Sequence, residues 1–314
     1  MSQNVSLPRK KKTGWFADFC RRFGKQKALF FIVLPGLIWY LIFKYWPIWF
    51  ISNAFTNYGL SANLKFVGFS HFKRLFSDPY FWRAFRNTLI LSLYNIIFYF
   101  PIPIILALSM NELVFNKSKK IAQFIVYIPH FLSWVVVGGL FVMLLSPVNG
   151  LVNKVLVGLG IIKEPIYFMA SNAHFRGVLI ISEIWKSAGY SAVIYIAAIS
   201  GVDSQLYDAA MVDGAGYWKR TLHVTLPAIR NTIATVLLLT LARIMQMQDQ
   251  ILVMYNTSIY EVSDVLRTYA YRTGLRNNNI PYSTAIGLFT SIVSVVLILI
   301  SNWFSKHVLD EEIM

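Results

Sequence analysis

The sequence predicts an all-α membrane protein with six transmembrane helices, a short interfacial helix ahead of the first, and a short cytoplasmic helix between the fourth and fifth. Three observations carry this. The 314 residues are 56% hydrophobic and only 14% charged, with a mean hydropathy of +0.54, whereas a soluble domain carries roughly 25% charged residues. The shortage of charge runs along the whole chain, as burial in lipid requires and a single soluble core does not. Six apolar runs then recur, each long enough for the about 20 residues that a helix needs to cross a bilayer. Finally, Arg9, Lys10, Lys11, Lys12, Arg21, Arg22, Lys25 and Lys27 all precede the first run, which is the pattern of a retained orientation signal and of contact with anionic headgroups.

Residues 1–27 form the basic N-terminal segment. Within it Trp15, Phe16, Phe19, Cys20 and Phe23 recur at helical spacing opposite Asp18, Arg21, Arg22 and Lys25, a face-to-face division that suits a helix lying in the interface plane. Residues 1–13 read equally as a disordered basic tail. Cys20 is the one cysteine, so an intrachain disulfide and a thiolate metal cluster are both excluded. The net charge of +15 comes with no nucleic-acid-reading module, and the lipid surface, not nucleic acid, is its expected partner.

The six spans are expected at Ala28–Ile51, Thr88–Ser109, Ile121–Leu145, Gly177–Ile199, Ile233–Met254 and Ser283–Phe304, within a 28–306 domain followed by a short cytoplasmic tail at 307–314. The first is too long for the apolar core of a signal peptide and is read as retained. With the N-terminus inside, the cytoplasmic segments hold 15 Lys/Arg and the outside segments, near 52–87, 146–176 and 255–282, hold 11. The bias is modest and rests on the N-terminus, which usually dominates. Six spans return the C-terminus to the cytoplasm and leave the 203–227 loop there. No repeat of three spans against three is visible in the sequence.

That loop is the most ordered stretch between spans. Asp203 and Ser204 are N-cap residues ahead of a short helix from Leu206 to Val212. Asp208 lies in its first turns, where a carboxylate suits the positive helix end. Ala209 and Ala210 let another surface approach closely, and Gly214 accepts the positive φ that ends a helix. A second short helix is expected from Tyr217 to His223, with Pro227 opening the fifth span.

The motif Asp208-Ala209-Ala210, three residues, Gly214, nine residues, then Val224-Thr225-Leu226-Pro227 resembles the E-A-A-x3-G-x9-I-x-L-P pattern of the permease subunits of binding-protein-dependent ABC importers. Asp208 stands where Glu is usual, Val224 where Ile is usual, and Thr221 where an aromatic is common. Trp218-Lys219-Arg220, Tyr260–Val265 and Thr268–Leu275 are similar to the carbohydrate-uptake branch, which includes the maltose-transporter permeases and, closer, permeases for complex oligosaccharides. The resemblance covers roughly residues 28 to 306.

The resemblance implies a multi-pass subunit of a bacterial cell (inner or cytoplasmic) membrane. Its loop is then a coupling helix seated on a separate ATPase. Asp208 meets a basic residue there, Ala209 and Ala210 allow close contact, Met211 packs as an apolar knob, and Gly214, Leu226 and Pro227 complete the motif. The implied partners are two ATPase subunits, which hold the ATP and Mg, a second related permease, an extracellular or lipid-anchored solute-binding protein, and an oligosaccharide. The chain itself is expected to bind no cofactor and to catalyse nothing: it has no G-x-x-x-x-G-K-[ST] loop, no H-E-x-x-H pair and no G-x-S-x-G elbow.

Ionisable residues inside spans are costly and mark candidate sites. Glu183 and Lys186 are three apart on span four, close enough to pair on one face; they read equally as self-neutralising or as a polar wall of a path. Arg243 lies mid-span five, where it is expected to tie helices together, and Asp249 with Gln246, Gln248 and Gln250 lies nearer the outer side, where it is expected to contact substrate. A sugar path needs rings and hydrogen-bonding groups, which nominates Tyr94, Asn95 and Tyr99 on span two, Trp134 on span three, and Trp185 and Tyr190 on span four. Pro35, Pro47, Pro101, Pro103 and Pro129 are expected to kink their helices. Two other classes stay open: an ion-driven secondary transporter with Glu183, Lys186, Arg243 or Asp249 in a relay, and a membrane enzyme such as a glycan transferase.

Overall fold

Prolines set the shape of several helices in the computed structural model, which describes residues 27–57, 65–113, 115–245 and 249–309. Three wide turns, Leu41–Tyr45, Asn95–Tyr99 and Thr221–Thr225, each end two residues before a proline: Pro47, Pro101 and Pro227. A proline ring collides with the carbonyl four residues back and donates no N–H. Widening the preceding turn removes the collision and re-pairs the freed groups, as in the Phe100 N–H to Asn95 carbonyl bond of 2.9 Å.

The chain divides into two units, Met1–Ser52 and Asn53–Met314. In the first, α1 (Lys27–Tyr40) continues through the wide turn at Leu41–Tyr45 into a tighter helix, Trp46–Phe55. The helical stretch Phe30–Phe55 has 26 residues and a mean hydropathy of 1.5, and Trp39, Phe43 and Trp49 are exposed along it. The expected interfacial helix lies outside the described residues.

The second unit is a helical bundle with α2 (Ser70–Ser77), α3 (Pro79–Tyr94), α4 (Pro101–Asn111), α5 (Asn116–Tyr127), α6 (Trp134–Leu144), α7 (Leu151–Gly158), α8 (Phe175–Ser200), α9 (Ser204–Val212), α10 (Tyr217–Arg220), α11 (Arg230–Ile244), α12 (Asp249–Met254), α13 (Leu266–Tyr271) and α14 (Ile280–Leu309). Three apolar clusters hold it. Leu75, Phe81, Leu266 and Ile286 join α2, α3, α13 and α14. Leu91, Leu179, Ile251 and Met254 join α3, α8 and α12. Ala107, Ala192, Tyr195, Ile199 and Ile229 join α4 and α8 where α8 ends. Ala107 and Ala192 are fully buried; with side chains this small, two helices approach closely, the usual route to packing when lipid offers no hydrophobic drive.

Among the described residues, three helices are long and apolar enough to cross a membrane, or up to five if each bent pair is one span. The three are Phe30–Phe55, Pro79–Asn111 and Ile280–Trp303. Helix α8 is also 26 residues long, and it carries Arg176, Glu183 and Lys186. The second span therefore starts nine residues before the expected Thr88, because Asp78 caps α3 by accepting the Tyr80 N–H at 2.9 Å and Pro79 suits the first turn.

One expected span is corrected. The run Ile121–Leu145 is not one helix: Lys117–Phe131 and Trp134–Leu144 meet at 99°. Pro129 sits in the tight turn Ile128–Phe131, and the Ser133 hydroxyl caps α6 by accepting the Val136 N–H at 3.3 Å, so a stop and a restart stand side by side. Within the run Ile233–Met254, α11 is described to Ile244 and α12 from Asp249, and residues 246–248 lie outside the described residues. Pro227 does not open a straight helix. It lies in the short helix Leu226–Ala228, and the chain turns by 62° at Ile229 before α11 begins at Arg230.

Gly189 marks a close helix crossing. A β-carbon there would lie 2.1 Å from the Val126 carbonyl oxygen of α5. Gly189→Ala must push two backbones apart, and we expect a loss of about 1–3 kcal/mol, read as a lowered unfolding midpoint of the purified protein.

Candidate functional site

The loop after α8 is built as a capped, projecting helix. The Asp203 carboxylate accepts the Gln205 N–H at 2.9 Å and starts α9. At the other end Gly214 has φ +72°, the Gly214 N–H donates to Met211 at 3.0 Å, and the Ala215 N–H donates to Ala210 at 2.9 Å. This pair of bonds is a Schellman turn, which satisfies carbonyls that a helix end leaves free. The Tyr207 hydroxyl meets the Thr225 hydroxyl at 3.0 Å, tying α9 to the wide turn after α10. Thr221 and Thr225 are buried, and Leu226 packs on the cluster around Ile229.

None of the nine residues of α9 is buried. Leu206, Met211, Val212 and, beside it, Trp218 are exposed apolar side chains, with Val212 at 88%. Asp208, Ala209 and Gly214 are exposed, Ala210 is half-buried and Pro227 is exposed. Among the described residues the Asp208 carboxylate has no ion pair or hydrogen bond. The helix is capped at both ends, has no fully buried residue, and presents an unpaired carboxylate between exposed apolar side chains.

The second group of predicted residues gathers on α8 and the 99° bend. The expected Glu183–Lys186 pair does not form. Lys186 is buried and its Nζ donates to the His130 carbonyl at 2.7 Å, 5.4 Å from the centre of the Trp134 ring. The break frees that carbonyl, and a cation at the end of a helix is favourably placed. Glu183 lies beside Ser187 on its own helix and still feels the Lys186 charge. Tyr190, half-exposed, stacks on the His130 ring at 3.9 Å with an interplanar angle of 4°. Tyr99 shares a 2.8 Å hydrogen bond with Ser191. Lys186, Tyr190, Tyr99 and Trp134 are thus brought to one region.

The others are scattered. Trp185 turns to Phe141 at 6.1 Å. Tyr94 packs on Phe98 at 5.7 Å. Asn95 is buried and donates to the Leu91 carbonyl at 3.1 Å. Asp249 is exposed in the first turn of α12. Gln250 is buried and donates to the Leu179 carbonyl and to Ser182, at 2.6 and 2.8 Å, which makes it a tie between α12 and α8. Gln246, Gln248 and the Arg243 side chain lie outside the described residues.

Sequence reasoning missed His130, whose proline neighbour and mid-span position were its only signal. It also missed a polar network at the other end of the bundle. Asn87 donates to the Glu261 and Asp264 carbonyls at 2.9 and 3.1 Å and accepts from Arg176 at 2.9 Å. The Asp264 carboxylate, fully buried, accepts from Thr268 at 2.8 Å and from both Arg272 terminal nitrogens at 3.0 and 2.5 Å. Burial pulls the Arg272 guanidinium down, but Asp264 outweighs this and holds it above its ordinary value. Burial likewise pushes the Asp78 carboxyl up, yet the Tyr269 and Tyr282 hydroxyls and the Tyr80 and Phe81 N–H groups hold it below the usual range. Burial and the Asp78 hydrogen bond raise Tyr269 to about 12.

Removing one member of a buried pair leaves the other unpaired. Arg272→Met is expected to cost about 3–5 kcal/mol by stranding Asp264, seen as early loss of folded protein in thermal unfolding. No cluster of three or more metal-ligating side chains is found among the described residues.

Residues 99–310 match the binding-protein-dependent transport system inner membrane component family. The polygalacturonan/rhamnogalacturonan transport system permease protein YteP of Bacillus subtilis (strain 168) is 40% identical, over 92% of this chain and 91% of that one. Protein LplB of the same organism is 37% identical, over 96% and 94%. Among solved structures, a chain of a bacterial ABC transporter involved in the import of the acidic polysaccharide alginate superposes with a TM-score of 0.85 at 38% identity, covering 93% of this chain and 99% of that one. A chain of the alginate transporter in complex with an alginate pentasaccharide-bound periplasmic protein gives 0.86 at 38% identity, with the same coverage.

Proposed function

Since the chain belongs to the binding-protein-dependent transport system inner membrane components, with residues 99–310 matched, we propose that it is the permease subunit of an ATP-driven importer and forms part of the path for an oligosaccharide delivered by a separate binding protein. The family is a transport component, not a catalytic one. ATP and Mg belong to two partner ATPase subunits, and a second, related permease completes the path. The protein resides in a bacterial cell membrane. It crosses six times, with Phe30–Phe55, Pro79–Asn111 and Ile280–Trp303 joined by the two bent pairs and α8, and both termini face the cytoplasm.

The observation that carries this reading is α9. Its nine residues bury nothing, its two ends are capped, and it holds the Asp208-Ala209-Ala210 motif outward at a fixed distance from Leu226 and Pro227. ATP binding closes the ATPase pair and moves this helix. Because Tyr207 and Leu226 fasten the loop to the base of α8 and α4, the motion reaches the bundle. Lys186, Tyr190, Tyr99 and Trp134 line the path there, where the bend between α5 and α6 exposes polar groups. The nucleotide biases an equilibrium between inward- and outward-open forms. Affinity purification through this chain, with hydrolysis assayed with and without the loaded binding protein, tests the reading. Co-purified ATPase activity stimulated by that protein supports it, and a chain that retains no ATPase refutes it.

A further inference from the structure

Resting on the outside placement of residues 52–87 and 255–282 in that reading, we propose that the cleft between α2, α3 and α13 is a subsite for a carboxylate-bearing saccharide. The cleft has a volume of about 510 Å³ and is lined by Arg74, Tyr80, Arg83, Tyr260, Tyr269 and Arg272, among others. That is the size range of pockets for small ligands.

Each of the three arginines lies on a tyrosine face. Arg74 Cζ is 4.5 Å from the centre of the Tyr282 ring, Arg83 Cζ is 5.0 Å from Tyr80, and Arg272 Cζ is 4.7 Å from Tyr260. Stacking fixes the plane of a guanidinium and leaves its N–H edge free to grip a carboxylate with two bonds. Arg272 already uses that edge on Asp264. Arg74 and Arg83 do not: among the described residues neither has a hydrogen bond or a carboxylate partner, and the Arg83 Nε is buried and unpaired. Of the acids nearby, Asp78 accepts from Tyr269 and Tyr282, and Glu261 accepts from Asn172 at 3.2 Å.

Arg83 also lines a second cleft of about 470 Å³ with Trp82, Arg86 and Glu261. Arg83 and Arg86 are three apart on α3 and share a face, so the two clefts adjoin along it and give an oligomer more than one anchoring point. Across the three outside segments 11 Lys/Arg stand against four Asp/Glu, a field that draws anions toward the cleft. A neutral sugar would leave both free guanidinium groups unused. A protein partner would meet a concavity where protein interfaces present broad surfaces. Sugar C–H faces suit the tyrosine rings, and Asn277 and Asn279 at the rim suit hydroxyls.

The test uses the assembled transporter in nanodiscs without its binding protein. Galacturonate trisaccharide and its carboxyl-reduced, neutral counterpart are titrated calorimetrically at two salt concentrations. The acidic probe should bind, more weakly at high salt, and the neutral probe should not. Arg83→Gln should weaken binding by about tenfold or more, with Arg83→Lys intermediate. Arg74→Gln, at an exposed side chain, should act in the same direction. Equal binding of the two probes, no binding of the acidic one, or wild-type affinity in both glutamine variants would overturn the site. ATP hydrolysis stimulated by the loaded binding protein in the wild-type complex is measured separately; if it persists while the probes fail, the subsite alone is wrong and the importer reading stands.

Discussion

Gly214→Trp is expected to leave membrane insertion intact and to abolish co-purification of the ATPase. The glycine has φ +72°, a conformation that costs an L-residue roughly 1–2 kcal/mol. Nothing lies within 4 Å of the position its β-carbon would take, so the core does not feel the change. The damage is local. The Schellman bonds at Met211 and Ala210 open, α9 loses its fixed end, and an indole occupies the surface on which the ATPase is to sit. Blue-native electrophoresis and a pull-down through this chain separate the two effects. A variant that inserts normally but carries no ATPase agrees with the account, and a fully assembled, active variant contradicts it.

Lys186→Met is expected to do the reverse: assembly persists and transport fails. The ammonium is the only side-chain donor found for the His130 carbonyl among the described residues, at 2.7 Å, and it anchors α8 to the bend between α5 and α6. Methionine matches the stem but leaves a buried carbonyl unpaired, a cost of about 1–3 kcal/mol. The unfolding midpoint should fall, and uptake should fall further than stability alone explains, because the 99° bend is no longer held in one position. With docking at α9 as proposed, the ATPase should co-purify as before. Uptake at the wild-type rate with an unchanged midpoint would remove Lys186 from the path.

The helical class and the short capped helix of the 203–227 loop were legible because each rests on local chemistry. Apolar length predicts a crossing, and Asp203 and Gly214 cap α9 as their residue types require. The breaks were not legible. Pro129 was expected to kink a span, but a proline alone does not distinguish a kink from a turn of 99°; Ser133 as a second cap and Lys186, 56 residues on, decide it together. Three-residue spacing placed Glu183 and Lys186 on one face, and a distant carbonyl won the lysine. The Asp264 network joins residues as far apart as Asn87 and Glu261; nothing in a linear pattern brings them together. Gln250 looked like a substrate contact because it is polar within a span, whereas its burial against Leu179 makes it a helix tie.

The most direct test of the central claim is uptake of radiolabelled oligosaccharide into proteoliposomes holding the two permeases, with the ATPase subunits and internal ATP present or absent and the loaded binding protein outside. Accumulation that needs both the ATPase and ATP, and that collapses in the Gly214→Trp variant, is the predicted result. Accumulation driven by an ion gradient with no ATPase present would contradict the account.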